Sequence, residues 1–116
     1  MKVKEFLVQG SSLEPYKVTF IKDGSKLTAL CNCPAGEHGQ YCKHRFRIME
    51  GIADGIVSNN KKDLDVIISW LEGTELDVAY KEVKDAERIY EEAKYILSNL
   101  KKRLARIMCD GNNYLT

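Results

Sequence analysis

The chain has 116 residues, a length typical of one small domain whose core is much thinner than that of most enzymes. Its net charge of +1 points by itself to neither a nucleic acid nor a membrane as partner. Residues 1–50 carry eight Lys and Arg against five Asp and Glu, whereas residues 51–116 carry ten against twelve, so the first half is mildly basic.

The cellular location is predicted from what the sequence lacks. No apolar run approaches the roughly 18 residues that span a bilayer, and the first ten residues lack the apolar core of a signal peptide. We therefore expect a cytoplasmic protein without a membrane span. In a reducing compartment clustered cysteines favour metal ligation or redox chemistry, with two structural disulfides as the alternative.

The first third of the chain alternates apolar and polar residues, as strands do. In YKVTFI, Tyr16, Val18 and Phe20 share one face, and KLTALC repeats the pattern after an Asp23-Gly24 turn. Residues 16–31 are thus predicted to form a β-hairpin, with VKEFLV near the N-terminus as a third strand.

The stretch CNCPAGEHGQYCKH, residues 31–44, holds three of the four cysteines and both histidines. Zn²⁺ prefers four tetrahedral ligands drawn from thiolate and imidazole, and the pattern C-x-C, eight residues, C-x-H supplies four: Cys31, Cys33, Cys42 and His44. Four protein ligands make a closed, structural centre. His38 is the alternative to His44, and otherwise a loop residue.

Helical spacing follows the cluster. A helix is predicted over about 44–57, where Gly51 or Gly55 marks its end or a close contact, and a short one over about 63–72. TELD resembles a capping box, with Thr74 as the cap and Asp77 three residues on. From it a helix of about 75–108 is predicted, because neither Gly nor Pro interrupts that stretch.

The long helix carries a 3.5-residue apolar repeat, the pattern of a coiled-coil seam. We expect a partner helix along most of its length, either from a second copy, giving a homodimer, or from the same chain in a helical bundle. Cys109, near its end, is expected to be a free thiol. The seam has one set of larger residues, the candidate oligomerisation contacts, and one set that includes three alanines seven apart: Leu76, Val83, Tyr90, Leu97 and Leu104; Ala79, Ala86, Ala93, Leu100 and Ile107.

The cluster and its context resemble the SWIM zinc finger over roughly residues 14–57. The shared features are a hairpin before C-x-C-P, a loop, and C-K-H opening a helix. The resemblance implies a ββα fold in which Cys31, Cys33, Cys42 and His44 bind one zinc ion. SWIM fingers occur in transposases, transcription regulators, helicase-like ATPases and ubiquitin-ligase-like proteins, and have been proposed to bind DNA or proteins.

The fold class that follows is α+β: a small sheet with a ββα zinc finger over residues 1–57, then a helical region over 58–116. The expected function is a non-enzymatic adaptor or regulator that binds another protein. The alternative is nucleic-acid binding by Lys43, Arg45 and Arg47, with Lys17, Lys22 and Lys26 on the hairpin as further phosphate contacts. An enzyme is not predicted, because no catalytic triad, phosphate-binding loop or carboxylate pair can be picked out.

Overall fold

The computed structural model describes residues 1–110. Packing contacts divide the chain into a first compact unit, Met1–Ala79, and a second unit that begins at Tyr80. The α+β class is confirmed, whereas the division after residue 57 stays a prediction. No helix within residues 1–110 combines the length and the apolar character that crossing a membrane requires.

Three antiparallel strands form one sheet in the order β1-β2-β3. They are β1 Lys2–Val8, β2 Tyr16–Asp23 and β3 Lys26–Cys31. The turn between β2 and β3 contains Gly24 at φ 61°, a left-handed conformation that glycine adopts without strain. Both the hairpin and the additional N-terminal strand predicted from alternation are therefore confirmed.

One face of this sheet supplies much of the apolar core. Phe6, Val18 and Phe20 are completely buried, and the rings of Phe6 and Phe20 meet edge to face with centroids 6.3 Å apart. Ile48 and Ile67, from two helices, are also almost fully buried. The period-two pattern of the strands thus identified the buried face correctly.

Within residues 1–110, four α-helices follow the sheet. They are α1 Pro34–Glu37, α2 Lys43–Met49, α3 Leu64–Leu71 and α4 Glu75–Asp110. A short 3₁₀ turn precedes α3, and α2 packs against α3 and β3. The ends of α3 and α4 lie within two residues of the predicted ones.

The first predicted helix ends before the first of its two glycines. It was predicted over about 44–57, but α2 ends at Met49. Gly51 adopts φ 79°, and the N–H of Ile52 donates to the carbonyl of Arg47 at 2.9 Å. A left-handed glycine with this bond forms a Schellman cap, which satisfies the last carbonyls and stops the helix.

Beyond α2 the chain returns to the sheet. Ile56 is buried and forms an antiparallel bridge with Val8, and the N–H of Val57 donates to the carbonyl of Leu7 at 2.8 Å. This segment therefore covers the free edge of β1, a role that its helix-like apolar spacing did not indicate.

The predicted cap of α4 is confirmed. The hydroxyl of Thr74 accepts a hydrogen bond from the Asp77 N–H at 3.1 Å, and the Asp77 carboxylate accepts one from the Gly73 N–H at 3.2 Å. Two backbone donors at the start of the helix are thereby satisfied.

Candidate metal centre

The four predicted ligands lie where three elements begin or end. Cys31 is the last residue of β3, Cys33 is the N-cap of α1, Cys42 is the N-cap of α2, and His44 lies in the first turn of α2. A strand end and two helix starts therefore converge on one point. All four ligand atoms lie within 4.8 Å of one another, so the group could hold a metal ion.

Three of the six separations between these atoms are close to the edges of a tetrahedral zinc site, and all six are within 4.8 Å. Zn–S bonds of about 2.3 Å and Zn–N bonds of about 2.0–2.1 Å give tetrahedral edges of about 3.8 Å between sulfurs and about 3.6 Å from sulfur to nitrogen. Cys33 Sγ lies 3.5 Å from Cys42 Sγ, and His44 Nδ1 lies 3.5 Å from Cys42 Sγ and 3.8 Å from Cys31 Sγ. Each measured edge is within 0.3 Å of the ideal one.

The cysteines of the cluster are buried free thiols. Cys31, Cys33 and Cys42 expose 6%, 3% and 3% of their surface, and none forms a disulfide. The two-disulfide alternative is thus not realised in this structure. Buried polarizable sulfurs at ligand separation form a donor set that suits a thiophilic metal.

Backbone N–H groups donate to the sulfurs of all three cysteines of the cluster. The Cys33 N–H donates to Cys31 Sγ at 3.5 Å, and the Gly36 N–H donates to Cys33 Sγ at 3.3 Å. Such bonds stabilise thiolate charge and orient the sulfur toward the metal.

Asn32, the residue between Cys31 and Cys33, fixes the backbone of the C-x-C pair through two hydrogen bonds to Lys17. Its side-chain oxygen accepts from the Lys17 N–H at 2.7 Å, and its own N–H donates to the Lys17 carbonyl at 3.1 Å. Asn32 therefore continues the hydrogen bonding with β2 one residue beyond the end of β3. This fixes the backbone between Cys31 and Cys33, so that both cysteines lie on one side of the turn.

Two glycines allow close packing around the centre. A Cβ on Gly36 would lie 2.2 Å from the carbonyl oxygen of Cys31, which only a backbone shift could relieve. A Cβ on Gly10 would lie 2.6 Å from the ring of Tyr16 and 3.2 Å from His44 Nε2. The Tyr16 ring in turn packs on the His44 imidazole, with centroids 5.1 Å apart. This contact restricts the orientation of the imidazole, whose Nδ1 faces the sulfurs.

The pKa values of the candidate ligands reflect their burial. Burial raises the pKa of the Cys31 thiol to about 12. Burial also raises the pKa of Cys42, but hydrogen bonds from the Arg45 N–H and from the neighbouring thiols outweigh it and leave the pKa below its ordinary value. Burial, followed by the charges of Lys43 and Arg47, lowers the pKa of His44, so its imidazole is neutral at pH 7, as a metal ligand must be.

The three basic residues predicted to face a nucleic acid lie in different environments. Lys43 and Arg47 are exposed and lie four residues apart on α2. Arg45 instead donates from one guanidinium nitrogen to the Ala29 carbonyl at 3.2 Å and from the other to the Gln40 carbonyl. Arg45 thus ties the loop before α2 to β3.

The hairpin lysines also differ from one another. Lys17 lies 3.9 Å from the Glu5 carboxylate, and Lys22 donates to the Trp70 carbonyl at 3.1 Å. Lys26 is exposed. The hairpin therefore offers fewer uncommitted cations than its sequence indicates.

The remaining histidine and cysteine lie outside the cluster. His38 is exposed, and its Nδ1 lies 2.7 Å from the Pro34 carbonyl oxygen. Cys109 is an exposed free thiol in α4. The structure thus brings together His44 rather than His38 with the three cysteines.

The predicted oligomerisation residues are exposed to different degrees. Leu76 is half-buried in the first unit, where it lines a surface depression with Leu27, Phe46 and Met49. Within the second unit every residue from 81 to 106 is exposed. The large seam residues there expose 39–62% of their surface: Val83, Tyr90, Leu97 and Leu104.

Comparison with protein-family models, curated proteins and solved structures finds no match to this chain. The likeness to a SWIM finger consequently rests on the spacing of the ligands and on the structural elements that carry them.

Proposed function

We propose that this chain is a small, non-enzymatic zinc-binding interaction protein. One structural Zn²⁺ bound by Cys31, Cys33, Cys42 and His44 joins β3, α1 and α2, and α4 is the element that binds another protein. The observation that carries the proposal is the convergence of these four ligand atoms within 4.8 Å of one another, with three of their separations close to the edges of a zinc tetrahedron.

A structural rather than catalytic role follows from the ligand count. Four protein donors complete a tetrahedral zinc site, so no coordination position is left for an activated water. The three thiols are free and buried, which suits a reducing compartment such as the cytoplasm. The C-x-C and C-x-H pairs, placed at a strand end and a helix start, make a SWIM-type finger the best description of the centre.

The adaptor role rests on α4. The part of α4 that lies in the second unit exposes a row of large apolar side chains. Apolar rows of this kind on a helix are typical of protein-protein contacts.

Zinc content measured with native mass tests the metal centre. Purified protein should hold one Zn²⁺ per chain, and Cys42→Ala should lose it while Cys109→Ala, which removes an exposed cysteine outside the cluster, should retain it. Co²⁺ in place of zinc should give the intense visible absorption of a tetrahedral thiolate site. Full zinc retention by Cys42→Ala would contradict the proposal.

A second candidate function is nucleic-acid binding, and the exposed pair Lys43 and Arg47 on one side of α2 favours it. If both contact phosphates, changing both to Gln should weaken binding and reduce the salt dependence of log K by about two counterions. Lys61→Gln with Lys62→Gln removes the same charge from exposed sites elsewhere. Equal effects of the two double variants, or no binding at low salt, would rule out this role.

A further inference from the structure

The seam of α4 has an uneven distribution of side-chain size. We define the a positions as Leu76, Val83, Tyr90, Leu97 and Leu104 and the d positions as Ala79, Ala86, Ala93, Leu100 and Ile107. The a positions are large throughout, whereas the first three d positions are alanine. A partner helix must therefore present large side chains opposite the alanines if the contact is to be evenly packed.

A second copy of α4 does so only in one orientation. In an antiparallel pair each a residue faces a d residue of the partner, and centring the pair midway between Tyr90 and Ala93 gives layers of matching volume. Each of the three alanines then faces a large side chain, and within residues 79–104 the one layer without alanine joins two aliphatic residues: Ala79 with Leu104, Ala86 with Leu97, Ala93 with Tyr90, and Val83 with Leu100. A parallel pair in register would instead stack alanine on alanine and Tyr90 on Tyr90, which leaves gaps beside crowded layers.

The flanking residues agree with this orientation. In the same antiparallel register Glu82 lies beside Arg103 of the second copy and Ile89 beside its Ile96, while a parallel pair would place Glu82 beside Glu87. Residues 75–93 contain seven acidic and three basic side chains, and residues 94–110 contain five basic and one acidic. Antiparallel pairing therefore sets the acidic half of each helix against the basic half of the other.

We propose that α4 pairs with α4 of a second copy as an antiparallel coiled coil over residues 79–104. The inference rests on the proposed role of α4 as an interaction helix and is independent of the zinc. The large apolar residues of this segment expose on the order of 700 Å² per chain, close to the ~800 Å² that each partner contributes to a standard interface. These residues are all at least 39% exposed: Val83, Ile89, Tyr90, Ile96, Leu97, Leu100 and Leu104.

Sedimentation equilibrium of the zinc-loaded full chain tests both the pairing and its orientation. The wild type should have twice the 13.2 kDa mass of one chain at micromolar concentration. Glu82→Arg places like charges beside Arg103 twice per dimer, so it should raise the dimer dissociation constant about tenfold, and adding Arg103→Glu should restore it. Asp85→Arg makes the same charge change at an exposed position outside the seam and should leave the constant unchanged.

The outcomes separate this inference from the proposed function. A monomer that holds zinc at tens of micromolar would overturn the pairing while leaving the metal centre intact. A dimer strengthened by Glu82→Arg would overturn the antiparallel orientation, because that change relieves the parallel Glu82–Glu87 repulsion. A dimer that follows the charge swaps in protein lacking zinc would support the pairing and contradict the proposed metal centre.

Discussion

Gly36→Ala tests the packing of the metal centre through a single methyl group. The added Cβ would lie 2.2 Å from the carbonyl oxygen of Cys31 and 3.0 Å from its Cβ. Because the nearest obstacle is backbone, no side-chain rotation relieves the contact. The backbone of α1 or of the end of β3 must move by about 1 Å to restore an ordinary separation.

A movement of that size is large on the scale of zinc coordination, where ligand distances tolerate about 0.2 Å. It would also lengthen the bond from the Gly36 N–H to Cys33 Sγ, which is 3.3 Å. Changes of this kind next to a metal ligand typically reduce affinity 10–100-fold. We therefore expect Gly36→Ala to bind Zn²⁺ about 10–100 times more weakly than the wild type at pH 7.

Competition with a chromophoric chelator measures this affinity, and Gly24→Ala is the matched control. Gly24 has φ 61° at the tip of the hairpin with open space around its Cβ, so alanine there should cost about 1–2 kcal/mol of folding stability. Its zinc affinity should stay at the wild-type value, which separates general destabilisation from an effect on the centre. An affinity of Gly36→Ala equal to that of Gly24→Ala would refute the steric reasoning.

Two further predictions concern the pH dependence of zinc binding and the hydrogen bonds of Arg45. The raised pKa of Cys31, about 12, means that zinc must displace its proton. The apparent association constant for Zn²⁺ should therefore fall at least about tenfold when the pH is lowered from 8 to 7, a range in which His44 is already neutral. A zinc association constant that does not change with pH would contradict this. Arg45→Met should lower the free energy of unfolding by about 1–3 kcal/mol through its two lost backbone contacts, whereas exposed Arg47→Met should change it by less than about 0.5 kcal/mol. Equal denaturation midpoints for these two variants would show that the contacts of Arg45 contribute nothing.

The features that could be predicted from the sequence are those that depend on a few neighbouring residues. Alternation at Val18 and Phe20 gave the buried face of the hairpin, and Thr74 with Asp77 gave the start of α4. The convergence of Cys31, Cys33, Cys42 and His44 belongs to the same class, because the C-x-C and C-x-H spacings indicate which side chains can reach one point. In each case the chemistry acts over one turn or one strand pair.

The features that could not be predicted depend on contacts across the fold. Gly51 is one of the two glycines expected to end the helix after residue 44, but the spacing of Ile52 and Ala53 does not indicate that Ile56 then pairs with Val8 at the sheet. Arg45 belongs to a basic run in sequence, but two backbone carbonyls that come close only after folding engage its guanidinium. A charge or an apolar period thus indicates which interactions a side chain can make, while tertiary contacts determine which of these it makes in the folded protein.

The position of the candidate centre gives a physical reason for so small a unit to bind a metal. The apolar core is built on the sheet by Phe6 and Phe20 and on the helices by Ile48 and Ile67, whereas the residues between Cys33 and Cys42 contribute no fully buried apolar side chain. That loop cannot offset its own ordering entropy by burial. Metal ligation at both ends of the loop would hold it closed, and the free energy of metal binding would offset that entropy. Zinc should therefore order this loop and the first turn of α2, while the sheet retains an apolar core of its own.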